Sequence, residues 1–360
     1  MDQLDSRIPV TSARPKLARD VTEAVGQVPF VRLNRMGAAC EAHDLFVKLE
    51  SCNPGGSIKE KNAAYLVKEA EEAGLLQPGG TIVESSSGNF GIGLAMVGAA
   101  RGYRVIVVVD AKTAPPMRRM LEAYGAELVD VPLSQADENG SMQRARMQVA
   151  ADLSRSIPGA WYPCQHLNPL NPEAHMLYTA REIEAAFDGP PDVIVVGIST
   201  AGQLAGIAKF FRRWYAGVRI VGVDVAGSAI FNTPRHPYKM TGLGLSFAPP
   251  NYDPNVLDAA YSVDDRLAFS VCHALARREG LLLGASTGAI VAAGVSFAGL
   301  LGGRQKVVML NPDRGDRYLE TIYDHGWLAA QGVELLEGDP LLAAIDELGP
   351  VPLSTLHRGR

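Results

Sequence analysis

Six short runs of apolar, largely β-branched residues recur along the chain, with amphipathic stretches between them. They are TIVES (81–85), RVIVVVD (104–110), AELVDV (126–131), DVIVVGI (192–198), RIVGVDV (219–225) and KVVMLNPD (306–313). A strand that is apolar on both faces has to be covered on both faces, which is the condition of strands in a parallel sheet flanked by helices. The intervening segments supply the cover: EKNAAYLVKEAEEAGLL, FGIGLAMVGAARGY, PPMRRMLEAYGA, AGIAKFFRRWYAG and RLAFSVCHALARREG read as helices, several ending at a glycine suited to a C-cap. The rhythm predicts an α/β fold with parallel, doubly covered sheets and working loops at the strand C-termini.

At 360 residues there is room for two such units. The Pro/Asn-rich segment WYPCQHLNPLNPEAH (161–175) reads as the crossing between them. The first 20 residues read as an arm. Residues after about 330 read as a polar tail with one short helix, DPLLAAIDEL. A net charge of −5 argues against nucleic acid or an anionic membrane as the main partner. No apolar run reaches the roughly 20 residues that span a bilayer, and the charged N-terminus has no signal-peptide core. Cys40, Cys52, Cys164 and Cys272 are scattered without metal-ligand spacing, so no metal site is expected, and reduced thiols point to the cytoplasm.

Three glycine-rich turns stand where strands are expected to give way to helices: Ser85 to Gly91, Ser199 to Gln203, and Gly284 to Ala289. Backbone N–H groups and the helix dipole receive anions at such junctions. One alone is an ordinary connection; three together point to a ligand carrying several negative charges. The Gly88-x-x-Gly91-x-Gly93 pattern with Asp110 further on lacks the spacing of a dinucleotide fingerprint.

Lys59 follows the Pro-Gly-Gly-Ser turn at the start of a helix, where a cation opposes the dipole. Burial and this placement both favour the neutral amine, which attacks carbonyls. Lys61 and Lys68 fit a solvated face of the same helix.

NPGGSIKEKNA, ESSSGNFGIGLA, STAGQLAG, LLLGASTGA and NPDRGDRYL occur in this order. Order and spacing resemble the fold type II pyridoxal-phosphate enzymes of the cysteine synthase and cystathionine β-synthase family, over roughly residues 24–328. The resemblance implies two doubly covered, mostly parallel sheets in a large domain (21–52 and 165–330) and a small mobile domain (53–164), with 331–360 as tail. It implies pyridoxal 5′-phosphate as cofactor, joined to Lys59, which also serves as the base at the substrate Cα. Asn89 would bond the cofactor's 3′-oxygen. Ser199, Thr200, Ala201, Gly202 and Gln203 would cradle its phosphate, although the family's usual loop is GTGGT. Ser286 would face the pyridine nitrogen and leave it unprotonated, which favours β-elimination and β-replacement. Ser86, Ser87 and Gly88, helped by Gln165, would hold the substrate carboxylate, and Phe90 would shape the substrate pocket.

The implied reaction is β-replacement on an O-activated L-serine through an aminoacrylate, with amino acids as substrates and a homodimer as the assembly. VVVDAKTAPP, VDVAGSAIF and PDRGDRYLETIYDHGWL resemble the branch that joins O-phospho-L-serine to L-glutamate, a route to L-2,3-diaminopropionate for siderophores and antibiotics. That branch carries an arginine where this chain has Phe247; Arg235 or Lys239 would then supply the charge, unless both are plain loop cations. A cysteine or S-sulfocysteine synthase is the alternative within the family, with cystathionine synthase behind it. A catalytically silent binding homologue is the reading from another class.

Overall fold

The computed structural model describes residues 17–137 and 140–357. Most of the expected N-terminal arm, residues 1–16, lies outside them. Ten strands form among the described residues: β1 (Phe30–Arg32), β2 (Asp44–Leu49), β3 (Thr81–Ser85), β4 (Arg104–Asp110), β5 (Glu127–Val131), β6 (Ala160–Trp161), β7 (Val193–Gly197), β8 (Arg219–Val225), β9 (Ala259–Val263) and β10 (Lys306–Asn311). They make two sheets, ordered β1-β2-β10-β7-β8-β9 and β5-β4-β3-β6. Every pairing is parallel except that of β1 with β2. The six apolar runs are all strands, and five of them are interior.

Four strands lack that signature, each for a physical reason. β1 and β6 have only three and two residues. β9 (AAYSV) is short of branched side chains. β2 (DLFVKL) carries Lys48, whose ammonium is buried against carboxylates rather than facing water.

The smaller sheet draws on residues 81–161, and the larger one on segments before and after it. The last strand, β10, lies between β2 and β7 and so ties the two ends of the chain together. The helix Ala285–Gly299 packs on β10 and β7 and is buried on nearly every face. Its small side chains permit this: a Cβ on Gly288 would collide with the Ala268 carbonyl, and one on Gly294 with the Met309 side chain. Each large aliphatic side chain buried in this core contributes about 1.5–3 kcal/mol.

Three expectations are corrected. The third glycine-rich turn does not follow a strand: Leu283 makes only an isolated bridge with Arg314 before the helix begins. The C-terminal segment is more than a polar tail. Its helix Gly338–Asp346 buries Leu341 and Ile345, and Val351 N donates to Ala260 O at 2.7 Å. Lys61 is not on a solvated face. It is 1% exposed and pairs with Glu50 at 2.8 Å and Glu182 at 2.6 Å, beside Lys48. Among the described residues no helix is long and apolar enough to cross a membrane.

Candidate active site

The turn Asn53–Ser57 is held from two sides. Glu60 accepts from Gly55 N and Ser57 N, both at 2.7 Å. From the other side, Ile58 N donates to Pro312 O at 2.8 Å and Arg314 N to Gly56 O at 3.2 Å. Gly56 adopts φ +85°, and a Cβ there would meet the Arg314 side chain, so the turn requires glycine. This clamp starts the helix Lys59–Glu72 with the Lys59 side chain in a cavity. Burial pulls the Lys59 amine down to about 8, against the opposing pull of Asp313. A usable fraction is therefore uncharged near neutral pH and able to attack a carbonyl.

Beyond β7, Ser199–Gln203 turns into the helix Gly202–Trp214. Ala201 sits at φ +59°, a left-handed conformation that costs a non-glycine residue about 1 kcal/mol or more. The turn lines the cavity at a helix N-terminus, the kind of place that receives anions, and the Gln203 amide nitrogen is buried there without a partner. Asn171 braces the loop, donating to Thr200 Oγ1 at 3.2 Å and to Gln165 O at 2.8 Å. Gly202 leaves room for Asn171, with whose amide a Cβ would collide. Gly202→Ala is thus expected to weaken cofactor retention at least tenfold, checked by titrating cofactor back into dialysed protein.

Lys59, Asn89, Ser199, Thr200, Ala201, Gln203 and Ser286 are brought together around one small space, whose lining does not include Gly202. Asn89 opens the helix Asn89–Arg101 and is fixed at both ends of its amide: it accepts from Arg317 and donates to Asp313 at 2.7 Å. Ser86 already has its side chain engaged within the fold. Its hydroxyl accepts from Gly91 N at 3.0 Å, capping that helix, and its N–H donates to Val108 O. Ser86, Ser87 and Gly88 all line the cavity.

This space opens into a cavity of about 580 Å³ bordered by Phe90, Gln165 and His166. Cys164, at φ +50°, turns the chain so that Gln165 faces it, and the buried Glu84 accepts from Gln165 N at 3.3 Å. Lys112, Arg146, Lys239 and Arg317 join Lys59 on the wall, against Glu320 as the one carboxylate among the described lining residues. Arg235 is exposed and is not among the residues lining it. Phe247 packs edge-on against the His166 ring, centroids 6.1 Å apart. His166 and Asp313 lie in the segments WYPCQHLNPLNPEAH and NPDRGDRYL without having been singled out there, whereas Arg146 carried no local sequence signal, because its helix reaches the cavity only in three dimensions.

The chain matches the family described as pyridoxal-phosphate dependent enzyme over residues 21–313. It belongs to that family. It is 37% identical over 316 residues to the N-(2-amino-2-carboxyethyl)-L-glutamate synthase of Cupriavidus metallidurans, covering 87% of this chain and 92% of the relative. It is 36% identical to a cysteine synthase of Staphylococcus aureus, over 84% of this chain and 96% of the relative. Among solved structures, O-ureido-L-serine synthase superposes with a TM-score of 0.80 at 36% identity, over 91% of this chain and all of that one. Both sheets and their helices are therefore those of a fold type II pyridoxal-phosphate enzyme, and pyridoxal 5′-phosphate is the cofactor. The residues fit the group: a depressed lysine amine for its aldehyde, an N-terminal helix turn with an unpartnered Gln203 amide for its phosphate, and Asn89 and Ser286 on the same wall.

Proposed function

We propose that the chain catalyses β-replacement on O-phospho-L-serine with L-glutamate as the nucleophile, giving the precursor of L-2,3-diaminopropionate. The observation that carries this reading is the cationic wall. A chain of net charge −5 places four cations besides Lys59 around one cavity. A phosphorylated amino acid and a dicarboxylic amino acid both need such a wall; sulfide does not. One relative's name supports it, that of an N-(2-amino-2-carboxyethyl)-L-glutamate synthase.

Bound pyridoxal phosphate supplies the electron sink that makes the substrate Cα–H acidic. Lys59 Nζ removes that proton and returns it. Ser87 and Gly88 orient the α-carboxylate, with Gln165 beside them, and Phe90 limits the space around Cβ. Arg146, 7% exposed and paired with Asp110 at 2.9 Å, leaves part of its guanidinium for a second carboxylate. The unit holding β3–β6 is the mobile one and carries the Ser85–Gly91 loop. Ser246 Oγ donates to Gln143 Oε1, a cavity-lining residue, at 3.0 Å, a hydrogen bond that already joins the two units beside the cavity; further closure of the Ser85–Gly91 loop on the substrate carboxylate would help exclude water. Assembly as a homodimer belongs to the same reading.

Mixing the holoenzyme with O-phospho-L-serine and L-glutamate is expected to release phosphate and form a product whose mass equals the two joined less phosphoric acid. O-acetylserine with sulfide reacting much faster would instead establish the cysteine-type reaction. Arg146→Gln is expected to raise the KM for glutamate about tenfold or more, with smaller change in phosphate release.

A further inference from the structure

The loop after β10 grips both the Asn53–Ser57 turn and Asn89, yet Asp313 within it has no part in the chemistry described so far. Asp313 is 2% exposed, and its two carboxylate oxygens are treated differently. Oδ2 accepts from Asn89 Nδ2 at 2.7 Å and from the Tyr318 hydroxyl at 2.5 Å. Oδ1 is buried with no hydrogen-bond partner. Gly284 makes room for it, since a Cβ there would collide with Oδ1. An unsatisfied buried acceptor is costly, more so when charged, so its retention points to a donor that arrives during turnover. The donor is at hand. Lys59 lines the same enclosed space, and Asp313 is the charge that opposes the effect of burial on its amine.

We propose, resting on the β-replacement reading, that Asp313 is the counter-charge of Lys59. When Nζ takes the substrate Cα proton, the Cα–H bond breaks and an ammonium forms. Oδ1 accepts an N–H of that ammonium and holds it in place until Nζ gives the proton back to Cα of the product. Asp313 is a positioning residue in this scheme, acting on the substrate only through Lys59. The other groups facing the pair are Arg317, Asp316 and Tyr318 from its own segment, Cys272 from the helix Asp265–Ala274, and Tyr323. His166 and His175 sense the Lys59 charge, but burial pushes them down to about 4 and about 3, so both are neutral at pH 7.

Competitive acetylation of the cofactor-free protein across a pH series, with Lys59 read by peptide mass spectrometry, measures the midpoint of its amine. In Asp313→Asn that midpoint is expected to fall by about one unit or more, because the stabilising anion is gone. In the holoenzyme, the glutamate-dependent step needs a protonated Nζ, so its alkaline limb is expected to move to lower pH by a similar amount. Asp313→Ser, smaller and also neutral, is expected to give the same shifts should the asparagine variant not fold. An unmoved Lys59 midpoint overturns the proposal, as does a rate loss equal at every pH with the limb in place. Wild-type enzyme that releases no phosphate from O-phospho-L-serine strikes the β-replacement reading, and the acetylation midpoint still decides the pairing.

Discussion

Lys59→Ala is expected to yield a folded, colourless protein that stays colourless when pyridoxal phosphate is added, with β-replacement reduced by at least about 10³–10⁴-fold. Two roles disappear together: the covalent link to the cofactor and the base at the substrate Cα, and acid–base help alone is worth about 10²–10⁴. The fold should survive. The Lys59 amine is desolvated, so its removal also removes a burial penalty. A melting temperature close to wild type, set beside absent visible absorbance, checks both halves. A yellow Lys59→Ala protein that mass spectrometry shows to be covalently loaded elsewhere would move the anchor to another lysine.

The two lysines of this helix show what a sequence makes legible. Lys59 could be picked out because its peculiarity is local: a cation in the first helical turn, directly behind a Pro-Gly-Gly-Ser turn. The five interior strands were legible for the same reason, since each declares its two apolar faces within seven or eight residues, whereas β5 lies at a sheet edge and buries only Val131. Lys61 was misread because its environment is remote. Its partner Glu182 lies 121 positions along the chain, on a helix that reaches it only through the tertiary fold. Arg235 and Arg146 make the same point. Both are arginines near polar residues in sequence, and only the packing of the helix Gln143–Ser156 beside β3 and β4 puts Arg146 on the cavity wall. Ser86 shows the converse, a motif serine whose hydroxyl the fold spends on a helix end.

Lys61→Met is expected to do the reverse of Lys59→Ala: keep the cofactor chemistry in whatever protein folds, and lower stability by about 3–5 kcal/mol. Lys48, Lys61, Glu50 and Glu182 form a buried square, with Lys48 and Lys61 each bridging the two carboxylates. Glu182 also accepts from Gln27 N at 3.1 Å, so the square pins the lysine helix to β2 and to the segment before β1. Burial alone would raise the Glu50 carboxyl, but Lys61 and then Lys48 hold it down to about 2. Removing Lys61 leaves two carboxylates sharing one ammonium, and the uncompensated charge is what destabilises. The pH dependence follows in sign. A carboxyl depressed in the folded state contributes stability above its unfolded value, about 4.3, and loses it as pH falls through about 2. In Lys61→Met that contribution is already gone, and protonating Glu50 now relieves a buried charge. The gap in melting temperature between wild type and variant is therefore expected to be widest near neutral pH and to close between about 4.3 and about 2. Lys61→Met combined with Glu182→Gln, which removes one charge of each sign, should recover a substantial part of the loss at pH 7. A single variant as stable as wild type at pH 7 would show that the square is solvated in solution.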